Sequence, residues 1–367
     1  MNLLTEVLTE PTIVRDWQAS QWNTLMPLVR RARLVGRCRA LFIEHGVESH
    51  VPDCLRDQMQ GALAQTHYIQ GQARRELRQV ARVLAREGIP LMALKGLAYL
   101  VADLPPSGWR NLSDIDLMVR RDDIERAEQL LRDAGWVDSG EHDDYDQHYY
   151  RDWMHEVPPL VHPARAFEVD MHHNLSPPVS RLRIDADRLW DAAVEHVDTC
   201  GMRVFVLDGP DMLLHNAVHL FMNDELRGGL RDVVDFRDLF QHYSGAESGF
   251  DQRLLARATE LGCGRALYYA ASAAVRFTGL RVAPDFERAL AGFAPPAPVA
   301  ALMDRLTASV FAPKRLGAAR DALAVQALFV RSHWIRMPPL MLARHLAHKA
   351  FISRRNKTQV STGDLPG

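Results

Sequence analysis

Two aspartates, Asp114 and Asp116, stand two residues apart in the apolar segment LSDIDLMV (112–119). In an extended strand, residues i and i+2 point the same way, so both carboxylates share one face while Ile115, Leu117 and Val119 take the other. Their Cα atoms then lie roughly 7 Å apart, close enough for both carboxylates to reach one cation. Buried carboxylates are costly unless they are paired or bind a metal. Oxygen-only ligation suits Mg²⁺ (or Mn²⁺), which takes one or two carboxylates and completes its shell with substrate phosphates. Taken alone, the pattern describes a half-exposed strand at least as well.

A third acidic position changes that balance. FEVDMHH places Glu168, Asp170 and His172 on one face of a strand, with Val169 and Met171 on the other. If this strand lies beside 112–119, Asp170 becomes a third metal ligand, His172 orients it or touches an acceptor, and Glu168 reads as a solvated neighbour. Upstream, LMALKG ends an apolar run at Lys95-Gly96 just before a helical stretch. A glycine there lets a phosphate approach backbone N–H groups, and the lysine adds a counter-charge. Arg110 precedes Asp114 by four residues and suits bidentate contact with a phosphate, a salt bridge being the plainer account.

In order and spacing, LKGLAYLVADLPPSGWRNLSDIDLMV (94–119) with the following DDIERAEQLLRDAGW (122–136) resembles the uncharacterised nucleotidyltransferase family of the DNA polymerase β-like nucleotidyltransferase superfamily. That superfamily has a glycine at a strand-to-helix turn, an acidic pair on the next strand and a third acid on a later one. Here the matching positions are Gly96, Asp114 with Asp116, and Asp170. Lys95-Gly96, Arg110 and the Val169-Asp170-Met171-His172 strand match the family variant, and His219 and Asp235 fall at its downstream polar positions. The match covers roughly 75–245. One departure stands out: the serine that usually follows the glycine is Leu97, which leaves Lys95 and Arg110 to hold the phosphates. The resemblance implies metal-dependent transfer of a nucleoside monophosphate from a nucleoside triphosphate to an unidentified acceptor (small molecule, peptide, protein or RNA), with pyrophosphate released. Asp114, Asp116 and Asp170 would be the catalytic metal ligands, with Lys95, Gly96, Arg110 and His172 around the nucleotide. The alternative on the same fold is a non-catalytic nucleotide-binding or regulatory module.

The elements that must position these residues follow from periodicity and punctuation. RELRQVARVLAREGIP carries Leu77, Val80, Val83 and Leu84 on one stripe and stops at Gly88 and Pro90, so 15–88 reads as helical. Strands are expected in PLMALKG, DIDLMVR, AFEVDMHHNL (166–175) and MRVFVLDG (202–209); helices in LAYLVADL and in DDIERAEQLLRDAGW. Residues 136–165 carry no clear period. From Pro210 onward the pattern is helical: 210–223, 226–243, 250–262, 264–278 and further segments to about 352. The expected class is α+β, a nucleotidyltransferase-type short mixed sheet with flanking helices plus a mainly helical C-terminal domain. The expected division is an N-terminal helical segment (1–88), an α/β core (89–208), a helical domain (209–352) and a disordered basic tail (353–367).

Composition excludes several classes. The chain has 367 residues, 47% hydrophobic, with a formal charge of −2, which is that of a soluble globular protein without a strong general attraction to polyanions. Cys38, Cys54, Cys200 and Cys263 form no CxxC pair, which argues against a zinc finger or a disulfide framework and fits a cytoplasmic location. No signal peptide and no apolar run long enough to span a bilayer is read. His215 and His219 lie one helical turn apart but lack a zinc-protease glutamate, so interior packing is expected. Asp232, Asp235, Arg231 and Arg237 read as a salt-bridged helix face. His142, Asp143, Asp144, Asp146 and His148 read as a solvated loop. Residues 331–357 carry seven positive charges (Arg331, Arg336, Arg344, Lys349, Arg354, Arg355 and Lys357), a stretch that either packs Leu340, Leu342, Leu346 and Phe351 inward or meets an anionic partner.

Overall fold

The computed structural model describes residues 2–140, 154–222, 226, 228–312, 319–338 and 341–342. Four helices precede the first strand: α1 (Leu3–Thr9), α2 (Ala19–Arg31), α3 (Val35–Glu44) and the long α4 (Asp53–Leu84). The strands are β1 (Met92–Ala93), β2 (Asp114–Met118), β3 (Val137–Asp138), β4 (Leu160–Val161), β5 (Glu168–His172), β6 (Val194–Val197) and β7 (Arg203–Val206). Helices α5 (Lys95–Val101), α6 (Ile124–Asp133) and α7 (Ala186–Asp191) lie between them. After β7 the chain is helical: α8 (Gly209–Met222), α9 (Leu230–Ala246), α10 (Phe250–Glu260), α11 (Gly264–Thr278), α12 (Pro284–Ala291), α13 (Ala297–Phe311) and α14 (Ala319–Arg336).

The seven strands form one mixed sheet in the order β3-β4-β5-β2-β1-β7-β6. β2 runs antiparallel to β1 and parallel to β5, while β1 and β7 are parallel. Ile115, Leu117, Val169 and Met171 are fully buried on one face, where α4 packs on β2 and α6 on β5. Alternation on β2 and β5 therefore does what the sequence pattern requires: apolar side chains enter the core and polar ones emerge on the other side. Buried apolar residues from Leu4 to Leu328 form one connected cluster, and α1 packs directly on α11.

The expected class, α+β with a mixed sheet, is what the structure has. Several strands are shorter or newly seen. The 90–96 run makes only two strand residues, because the Leu94 N–H still donates to the Asp116 carbonyl (3.0 Å) and the chain then turns at Lys95, whose φ is +48°. The β3–β4 pair and β6 carried no sequence signal. β3 and β4 have two residues each, too few to show a period, and Val194 and Val197 of β6 are 45% and 62% exposed, as an edge strand permits. The acidic and histidine-rich loop at 142–148 and most of the basic C-terminal stretch lie outside the described residues. Arg331 is described: it donates to the Phe221 carbonyl (2.6 Å) and lies over the Tyr269 ring.

Candidate functional site

The site grows out of the β2–β5 pairing. In that parallel register Asp114 stands beside Glu168, Asp116 beside Asp170, and Met118 beside His172. Paired residues on neighbouring strands point to the same face, with strands about 4.8 Å apart. The register thus brings Asp114, Asp116 and Asp170 onto one patch of sheet, which the spacing within each strand could not do alone.

Lys95 closes this patch from the β1 side. Its Nζ donates to Asp116 Oδ1 at 2.5 Å, from the first position of α5. A lysine in the left-handed region costs about 1 kcal/mol, a strain that neighbouring packing must hold in place. On the other side His172 Nε2 lies 3.3 Å from the same Oδ1. The turn from β1 into α5 and the β5 register therefore deliver two donors to one carboxylate.

The electrostatics separate the three acids. Burial opposes charge on Asp116, but Lys95 and His172 outweigh it and hold its carboxyl well below the usual range. Burial, then repulsion from Asp116, raises Asp114. Burial and the charges of Asp116 and Asp114 push Asp170 up to about 7. Asp170 Oδ1 is buried without a hydrogen-bond partner. A carboxylate trio whose members raise one another, with one oxygen unpartnered, is an arrangement that a divalent cation relieves. For Lys95, burial works against the ammonium, and the carboxylates of Asp116, Asp114 and Glu156 overcome it and raise its pKa.

Arg110 and Gly96 are placed differently from a simple phosphate grip. The Arg110 guanidinium is buried and committed: it donates to Asp232 Oδ1 at 3.0 Å and forms an ion pair with Asp235, both on α9. Its carbonyl accepts from Gln70 of α4 (3.0 Å), and its guanidinium lies over the Tyr99 ring. Asp235 is fully buried, so the salt-bridged face expected of this helix is an interior one, paired with Arg110 from another element. Arg237 pairs with Asp238, which also holds Arg37 of α3 and accepts from Trp109 (3.3 Å). At Gly96, a Cβ would meet Leu112 Cδ2 at 2.5 Å and Arg110 Nε at 2.8 Å. Glycine is thus demanded by the packing of the loop before β2 onto α5. These contacts hold the entrance of β2, and with it Asp114, against α5 and α9.

Two histidine features flank the patch. His215 of α8 is buried; burial, reinforced by nearby Lys95, lowers its pKa to about 3. Its ring packs edge-on against His219 at 6.2 Å, in keeping with interior packing. Sequence reasoning missed His155 and Glu156, which precede β4 in the stretch without a clear period. His172 Nδ1 lies 3.3 Å from Glu156 Oε2, and the His155 and His172 rings are 5.3 Å apart. No local spacing signals this trio, because a β-bridge between Glu156 and His172 brings it together across sixteen positions.

Chemically, the patch offers three carboxylate ligands for one or two hard cations, an ammonium beside them and imidazoles at the rim. A family model described as an uncharacterised nucleotidyltransferase matches residues 18–279. No curated protein matches the chain. Among the described residues no helix is long and apolar enough to cross a membrane.

Proposed function

The chain belongs to that uncharacterised nucleotidyltransferase family, and on this premise we propose that it moves a nucleoside monophosphate from a nucleoside triphosphate to an acceptor hydroxyl. The single observation that carries the reading is the register of Asp116 with Asp170, with Asp114 on the same face. In the balanced step the acceptor oxygen bonds to the α-phosphorus, the α–β anhydride bond breaks, and pyrophosphate leaves with the electron pair of that bond.

Asp114, Asp116 and Asp170 fit Mg²⁺, since they are an oxygen-only set whose mutual repulsion and unpartnered Asp170 Oδ1 call for positive charge. When bound there, the cation supplies charge neutralisation of the phosphates and activation of the attacking oxygen. The chain's own residues do the rest. Lys95 and His172 keep Asp116 ionised and aimed. Asp170, set beside Asp116 on the next strand with one oxygen unpartnered, accepts the proton from the acceptor hydroxyl. Lys95, whose ammonium already faces the patch, would offer its charge to the phosphates. Arg110 positions the machinery: it ties the β2 entrance to Asp232 and Asp235 of α9.

The test is isothermal calorimetry of each nucleoside triphosphate with Mg²⁺ and with EDTA, on wild type and Asp116→Asn. Metal-dependent binding in the wild type that the variant loses is expected. Its absence in the wild type would sink the reading. Incubation with each labelled nucleotide and a lysate then identifies the acceptor; binding without any transfer of label would favour the non-catalytic module, for which Leu97 in place of the serine is the motive.

A further inference from the structure

We propose that His155, Glu156 and His172 form a second metal site, for a divalent transition cation such as Zn²⁺, at the rim of the carboxylate patch. Each of the three residues offers a ligand atom within 4.8 Å of the others, and both histidines are at least nine-tenths buried. Two imidazoles and one carboxylate are a donor set for Zn²⁺ and other first-row cations, whereas the all-carboxylate set beside it suits Mg²⁺. Zinc ligands at about 2.1 Å in a tetrahedron lie roughly 3.4 Å apart, so modest side-chain rotation closes the trio.

The trio is built on the backbone and does not depend on a loose loop meeting. The His173 N–H donates to the His155 carbonyl (2.8 Å), the Val157 N–H donates to the Met171 carbonyl (3.0 Å), and Glu156 bridges to His172. The segment carrying His155 and Glu156 is therefore stitched to β5 on both sides of the ligands.

The orientation of His172 is the second, independent observation. Its Nε2 is turned to Asp116 Oδ1 at 3.3 Å, as a donor. Its Nδ1 is buried, makes no hydrogen bond and faces Glu156 Oε2 at 3.3 Å, so the ring presents its second nitrogen to the carboxylate. A nitrogen and a carboxylate oxygen this close are bridged either by a proton or by a metal cation, and the second imidazole beside them supplies a third ligand for the cation. His155 Nδ1 is likewise buried without a partner. The imidazole of His172 then joins two sites: one nitrogen ligates the transition cation, while the other donates to Asp116, the carboxylate–histidine–metal relation that fixes a ligand ring. The site shares His172 with the nucleotidyl-transfer reading but uses none of its three acids, so it can be tested apart from that reading.

The experiment uses the full chain stripped with EDTA, then titrated with Zn²⁺ alone in millimolar Mg²⁺ and no nucleotide, with bound zinc measured by mass spectrometry after desalting. Wild type and Asp114→Asn are expected to retain one zinc per chain. His155→Ala and Glu156→Gln are expected to weaken binding by at least about tenfold. Circular dichroism melts check that the variants fold, and substitution by Co²⁺ gives a visible absorption band that only an inner-sphere site produces. Three results overturn the proposal: no zinc on the wild type under Mg²⁺, equal zinc on the wild type and Glu156→Gln, or zinc lost in Asp114→Asn and kept in His155→Ala. None of these bears on Mg²⁺-dependent nucleotide binding, so the two proposals fail separately.

Discussion

Asp116 and Asp170 are direct partners across the parallel β2–β5 pair, and the same Asp116 oxygen receives Lys95 and His172. One carboxylate is therefore clamped in its charged form while its neighbour on the next strand is driven toward neutrality. Two acids with environments that push their proton affinities apart are equipped for different tasks.

The first prediction follows from this asymmetry. Asp116→Asn removes a proposed metal ligand and the partner of Lys95, and should lower transfer at least about 10²-fold. Asp170→Asn should also lower transfer steeply but retain part of the metal-dependent nucleotide binding that Asp116→Asn loses. Single-turnover rates alongside calorimetric binding separate the two; equal loss of binding in both variants would contradict the division of labour.

A second prediction concerns Arg110. Truncation to methionine leaves the buried Asp235 without its cation and should destabilise the fold by about 3–5 kcal/mol in chemical denaturation. Adding Asp235→Leu should restore part of that stability. A phosphate-gripping Arg110 would instead show an increased KM for nucleotide at unchanged stability.

Gly96 provides a third. An alanine methyl there collides with Leu112 Cδ2 and Arg110 Nε, so Gly96→Ala should cost about 1–3 kcal/mol. In the Gly96→Ala background, Leu112→Val should recover stability, because it deletes the colliding carbon. Additive losses in a double-mutant cycle would rule out the packing explanation.

The fourth is a pH dependence. His215 is held neutral in the native state, with its pKa lowered to about 3 by burial first and by Lys95 next, while the unfolded chain protonates it near 6.5. Between these values the unfolded state binds more protons, so this contribution is fully present above about pH 6.5 and is lost as pH falls toward 3. Each pH unit is worth at most about 1.4 kcal/mol. His215→Gln should therefore lose ground to wild type at pH 7.5 and close the gap at pH 5, read from melting temperatures in EDTA. A gap that widens on acidification would reverse the sign and refute the assignment.

Part of this arrangement is legible along the chain. Asp114, Asp116, Asp170 and His172 could be assigned to strand faces because the period of two depends only on local backbone geometry. The helices α6, α8 and α11 announce themselves within a few residues of their observed ends, and the end of α4 is marked by Gly88 and Pro90, though its start at Asp53 is not. Arg110 shows the limit of such reading. Its type and place before the acidic pair suit a phosphate, but its partners, Asp232 and Asp235, are more than a hundred positions away. His155 and Glu156 escaped notice for the same reason: their relation to His172 exists only through an antiparallel bridge.

By itself, the sequence determined which side chains share a face of β2 and of β5, where most of the helices lie, and the family to which the chain belongs, since these depend on near neighbours and on motif order. Only the tertiary structure decided that β5 lies beside β2 in the register setting Asp170 against Asp116, that Lys95 and His172 converge on one oxygen, and that Arg110 is held by α9. The physical reason is that strand register and side-chain pairing are set by burying two apolar faces together, a property of the whole packed core that no window of sequence contains.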